Sequence, residues 1–84
     1  MKFKEELYVD VDFAIEMHNL INKDAISKGE VQRQSRDTLA KELGINRQLL
    51  TELKSGRISK SIKIINHLVL MAQRPICEIV KPKL

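Results

Sequence analysis

Tryptophan is absent from this 84-residue chain, and only three aromatics, Phe3, Tyr8 and Phe13, are present. A core must therefore be filled by Leu, Ile and Val, an inventory that suits packed helices. A single cysteine, Cys77, excludes an internal disulfide. Cys77 with the only two histidines, His18 and His67, falls short of the four ligands of a structural zinc site. No metal and no cofactor is expected. A long hydrophobic run is also missing. The richest stretch, 62–72, is interrupted by Lys63, Asn66 and His67, and is too short and polar to span a bilayer. The opening MKFKEELYVDVD is charged and lacks the apolar segment of a secretory leader. The expectation is a cytoplasmic protein without a membrane partner. No nucleophile–base constellation and no phosphate-cradling glycine loop is visible, so an enzyme is not expected. At 84 residues one domain, 1–84, is the natural division, near the lower limit of what builds a core alone.

The net charge of +4 is unevenly spread. Residues 1–26 hold three Lys against six Asp/Glu, whereas residues 27–63 hold nine Lys/Arg against four Asp/Glu. A basic middle points to a polyanionic partner; a solvated surface with ordinary charge fluctuation is the plain alternative.

Residues 3–9 alternate weakly and read as a strand or an arm. Apolar residues at Val11, Ala14, Ile15, Leu20, Ile21, Ala25 and Ile26 predict a first helix running to about Ser27, capped by Asp10 or Asp12 and stopped at Lys28-Gly29. The polar GEVQRQ reads as a loop. Ser35 caps the second helix as a simple cap, with Thr38 rather than Glu or Gln three residues on. Leu39, Ala40 and Leu43 form its buried stripe, and Gly44 ends it. Asn46 caps a third helix over 47–54, with Leu50 and Leu53 inward and Gly56 at its end. Ser59 or Ser61 caps a fourth, SIKIINHLVLMAQ, stopped by Pro75. It carries two apolar stripes, Ile62, Ile65, Val69, Ala72 and Ile64, Leu68, Met71, more than one small monomer is expected to cover. The β-branched ICEIVK then reads as a strand.

The stretch LAKELGINRQLLTELKSGR places two short helices on either side of a tight glycine turn, the spacing of a helix-turn-helix. Arg47, Gln48, Thr51, Glu52 and Ser55 remain outward on the second of them, side chains of the types that read base edges. The restart at Asn46 would aim Arg47 and Gln48 into a DNA major groove, with Asn46 itself among the expected DNA contacts. Lys54, Arg57, Lys60 and Lys63, spaced around Gly56, are candidate phosphate contacts.

This stretch resembles the lambda-repressor-like helix-turn-helix superfamily of Cro/cI-type regulators, over roughly 35–72. Ala40, Gly44, Ile45, Leu50, Leu53 and the terminal SGR carry the likeness. The resemblance implies DNA contacts by Arg36, which opens the second helix, and by Arg47, Gln48, Thr51 and Glu52, with phosphate contact by Ser55. Arg47 is either a guanine reader or a phosphate anchor. Glu52 either accepts from cytosine or pairs within its helix. Leu49 either meets a thymine methyl or packs on its neighbour. The link KGEVQRQ is longer than is usual in the family. The C-terminal helix, Pro and ICEIVKP resemble members whose last strand pairs across a homodimer, some of them antitoxins.

The expected fold is mainly α, a four- or five-helix lambda-repressor-like domain with the helix-turn-helix at 35–55. A dimerisation helix and short C-terminal strand span 61–81, the strand pairing with an N-terminal strand or, the favoured arrangement, across a dimer. Ile64, Leu68, Met71, Ile76 and Ile79 are its expected dimer contacts. The expected partners are double-stranded DNA and a second copy of the chain. The expected function is sequence-specific regulation of transcription, as a repressor on a palindromic operator. An antitoxin that also holds a toxin protein, or a protein-interaction module reusing the fold, are the alternatives.

Overall fold

The structure is a computed structural model that describes residues 7–56 and 62–82. The described residues are mainly helical, with six helices and one small two-stranded antiparallel sheet. The order is β1 (Leu7–Val9), α1 (Val11–Ile21), α2 (Lys23–Ser27), α3 (Arg36–Leu43), α4 (Arg47–Lys54), α5 (Ile62–Ala72), α6 (Ile76–Ile79) and β2 (Val80–Pro82). No helix among the described residues is long and apolar enough to cross a membrane.

Local chemistry sets most helix ends. The Asp10 carboxylate accepts from the Phe13 amide at 3.0 Å and caps α1. The single first helix expected to Ser27 is instead two. The break falls at Asn22, whose backbone and side-chain amides both donate to the His18 carbonyl, at 3.1 and 2.8 Å. Beyond α2, Gly29 takes φ +76°, and the Gly29 and Glu30 amides bond back to Ile26 and Ala25, closing the last turn. At Ser35 the simple cap is corrected to a reciprocal one. The Thr38 amide donates to the Ser35 hydroxyl at 3.3 Å, and the Ser35 amide donates to the Thr38 hydroxyl at 2.7 Å. A hydroxyl three residues on performs the return bond usually made by Glu or Gln.

The expected strand over 76–81 is also corrected. Residues Ile76–Ile79 form one helical turn, and only Val80–Pro82 are extended. Pro75 precedes that turn with φ −64°, and Glu78 closes it by donating its amide to the Pro75 carbonyl. Arg74 grips the Glu78 carboxylate with two bonds of 2.9 and 2.7 Å across it. The turn drops Ile79 into the core, and that burial outweighs β-branched propensity.

β2 pairs within the chain, with Leu7 opposite Pro82, Tyr8 opposite Lys81 and Val9 opposite Val80. The favoured pairing across a two-fold axis is thus replaced by the intrachain one. A two-stranded ribbon is marginal alone. This one is held by buried Val9, by the Asp10 amide on the Ile79 carbonyl at 2.7 Å, and by Lys81, which binds the Asp10 carboxylate at 2.8 Å and lies 4.4 Å from the Phe13 ring centre. Asp10 favours the ammonium form of Lys81 by hydrogen bond and charge and raises its pKa.

The core joins every layer: Val9, Val11 and Ala14, then Leu39 and Ala40, Leu50 and Leu53, Ile65, Leu68 and Ala72, and Ile79. α1 lies along α5, and α6 folds back against both. This packing corrects two expected dimer contacts. Leu68 and Ile79 are fully buried within the single chain, while Ile64 and Met71 are partly buried against the same core. Both stripes of α5 are largely covered by the chain itself; the apolar residues left exposed there are Ile62 and Leu70. The proposed caps Ser59 and Ser61 lie outside the described residues.

Candidate nucleic-acid interface

Two eight-residue helices, α3 and α4, meet at Gly44-Ile45-Asn46. Gly44 has φ +71°, and nothing lies within 4 Å of where its Cβ would stand, so backbone conformation alone demands glycine here. The Gly44 and Ile45 amides return to the carbonyls of Lys41 and Ala40, at 3.2 and 3.0 Å, and Ile45 packs on the core. Asn46 then restarts the helix, its side-chain oxygen accepting from the Leu49 amide at 3.1 Å.

The entry to α3 is fixed from α1. The Asn19 side chain makes a double bond pattern with Gln34, donating to its carbonyl at 3.0 Å and accepting from its amide at 2.9 Å. The Gln34 side chain in turn accepts from the Thr38 hydroxyl and donates to Glu42. The long 28–34 link is thereby anchored at its far end. Among the described residues no buried side-chain polar atom lacks a hydrogen-bond partner.

On α4 the polar and apolar positions separate cleanly. At about 100° per residue, Arg47, Thr51, Ser55, Gln48 and Glu52 fall within an arc of about 140°, and Leu49, Leu53, Leu50 and Lys54 fill the rest. Leu50 and Leu53 are fully buried; Asn46, Arg47, Gln48, Thr51 and Ser55 are exposed, and Glu52 is half-buried. The Ser55 hydroxyl donates to the Glu52 carbonyl at 2.9 Å. Arg47 lies 3.3 Å from Asp37, with 61% and 68% of the two side chains exposed. An ion pair that open contributes little and leaves Arg47 available to another acceptor. Leu49 is half-buried and borders a shallow groove with Ile45, beside Asn46, Gln48 and Glu52.

No family model, curated protein or solved structure matches this chain.

Arg36, a DNA contact by the family resemblance, and Lys54, a candidate phosphate contact, are both engaged within the chain. Both are held by Asp12: Arg36 Nε and Nη2 donate to its two oxygens at 2.9 and 2.7 Å, and Lys54 Nζ donates at 2.7 Å. The Arg36 hydrogen bonds, opposed by partial desolvation and aided by Lys54, lower the Asp12 pKa to about 2. In sequence Asp12 offers only the alternative to Asp10 as a cap for α1, and Asp10 is the cap. The partners of Asp12 lie 24 and 42 residues away, and no local pattern announces them. Lys63 is exposed on the first turn of α5, and Arg57 and Lys60 lie outside the described residues. The structure thus leaves Arg47, Gln48, Thr51 and Ser55 exposed along one arc of α4, with Asn46 exposed at its start, and holds Arg36 and Lys54 on Asp12.

On the other side of α3, His67 Nε2 lies 4.0 Å from Glu42, and His18 Nε2 lies 3.4 Å from the Gln32 carbonyl. Cys77 is exposed. No group of three or more His, Cys, Asp or Glu among the described residues is arranged to hold a metal ion.

Proposed function

We propose that this chain is a sequence-specific DNA-binding regulator of transcription, a repressor of the lambda-repressor-like helix-turn-helix type, with α4 as its reading helix. The observation that carries this is the composition and exposure of one arc of α4. Arg47, Gln48 and Thr51 are outward, while Leu50 and Leu53 anchor the opposite side in the core. An arginine offers two parallel donors to a guanine edge, and a glutamine offers a donor and an acceptor to adenine. The turn at Gly44 supports the same reading, because it sets α4 on a rigid base rather than a loop. The basic excess of residues 27–63 supplies attraction to phosphate independent of sequence.

The regulator acts as a homodimer in this proposal. A single eight-residue helix covers one short half-site, and two copies related by a two-fold axis meet half-sites about 34 Å apart. Of the residues suggested for that contact, Ile64, Met71 and Ile76 retain exposed surface. Selection of bound duplexes from a random pool tests the proposal. A palindrome with a few strongly preferred positions is the expected outcome; no enrichment at any salt concentration overturns it.

A further inference from the structure

Asp12 gathers cations from opposite ends of the α3–α4 pair. Arg36 is the first residue of α3 and Lys54 the last of α4. Their acceptor stands in the first turn of α1, the helix that lies along α5. One carboxylate therefore ties the entry of α3 and the exit of α4 to the layer beneath. An isolated surface ion pair would contribute little. Here three charge-assisted hydrogen bonds converge on two oxygens, and the guanidinium approaches as a two-bond fork, which fixes direction as well as distance. Arg36 and Lys54 are each only 32% exposed, against 61% for Arg47.

The arrangement has a mechanical and an electrostatic consequence. Mechanically, the angle at which α4 leaves the body is set by contacts at both ends of the pair rather than by the glycine turn alone. Electrostatically, the two cations that open α3 and end α4 are committed to a carboxylate. Released, each would neutralise a phosphate of any sequence, adding affinity without discrimination.

We propose that Asp12 is a positioning residue for DNA reading: by holding Arg36 and Lys54 it fixes the α3–α4 pair on α1 and withholds two cations from sequence-independent phosphate contact. This rests on the DNA-binding role of α4.

The test compares the full chain with Asp12→Asn, on the duplex enriched by the wild type and on an unrelated duplex of equal length, across a salt series. Asp12→Asn is expected to bind the unrelated duplex several-fold more tightly. Its log–log salt slope should steepen by about 1 to 2, as one or two further phosphates are neutralised. The ratio of enriched to unrelated affinity should fall at least about threefold. Adding Arg36→Gln and Lys54→Gln to Asp12→Asn should return the slope to its wild-type value. A folded Asp12→Asn chain with unchanged ratio and slope overturns the proposal. So does an equal loss on both duplexes, which is what a purely structural role produces. If Asp12→Asn does not fold, Arg36→Lys serves, since it keeps the charge and loses the fork. It should lower the ratio, and a wild-type ratio in that variant overturns the proposal equally. A wild type that enriches no sequence removes the DNA reading and this inference with it; an enriching wild type with indifferent variants removes the inference alone.

Discussion

Replacing Asp12 by Asn should make the chain less stable near neutral pH and no less stable in strong acid. The folded carboxyl titrates near 2, against 3.8 for the ordinary group, chiefly through its hydrogen bonds to Arg36. The unfolded chain therefore takes up this proton more readily than the folded one. The stabilisation is complete above about pH 5 and is lost as the pH falls through 3.8 towards 2. That difference corresponds to about 2 kcal/mol between fully separated states. Asp12 is 48% exposed, so solvent and salt screen the pair, and about 1 kcal/mol is the realistic contribution. Urea denaturation of wild type and Asp12→Asn, followed by circular dichroism from pH 7 to pH 2, measures it. Other carboxylates titrate in both chains and cancel in the difference. The gap should be about 1 kcal/mol from pH 7 to 5, close progressively below pH 4, and shrink at high salt. A gap that is independent of pH, or that widens in acid, refutes the reasoning.

Further outcomes follow from the same geometry. Arg47→Ala should weaken operator binding by about 1–3 kcal/mol and relax preference at one position of each half-site; equal weakening on every sequence makes Arg47 a phosphate anchor instead. Gly44→Ala meets no steric neighbour, so only positive φ opposes it, and denaturation should register a loss of about 1 kcal/mol. A neutral result means that the turn relaxes. Leu68→Ala should destabilise the chain by about 2–5 kcal/mol at any protein concentration, because Leu68 is core; a loss confined to dilute protein returns it to a subunit interface. Sedimentation of the wild type at micromolar concentration should give twice the chain mass, and a single-chain mass with operator binding intact removes the dimer.

Much of the candidate site was legible because its determinants are local. Ser35, Asn46 and Asp10 each cap through a bond that closes within three residues. Gly44 ends α3 through bonds spanning a single turn. The 3.6-residue period assigned Leu39, Ala40, Leu50 and Leu53 to the core, and the helix bounds followed within a residue or so. The break between α1 and α2 at Asn22 carries no glycine or proline to mark it in the sequence.

The sequence by itself determined where helices start and stop around Gly44 and which face of α4 is polar, since dihedral preference, capping and period act within a turn or two. Only the tertiary structure decided which distant segments meet. Asp12 is joined to Arg36 and Lys54 across 24 and 42 residues, and Lys81 to Asp10 across 71. β2 takes the intrachain strand β1, and both stripes of α5 find cover in one chain, because α1 and α6 fold against that helix. Such contacts depend on how all the layers fill one core. A β-branched ICEI becomes a helical turn for the same reason, since burial of Ile79 in the shared core outweighs β propensity.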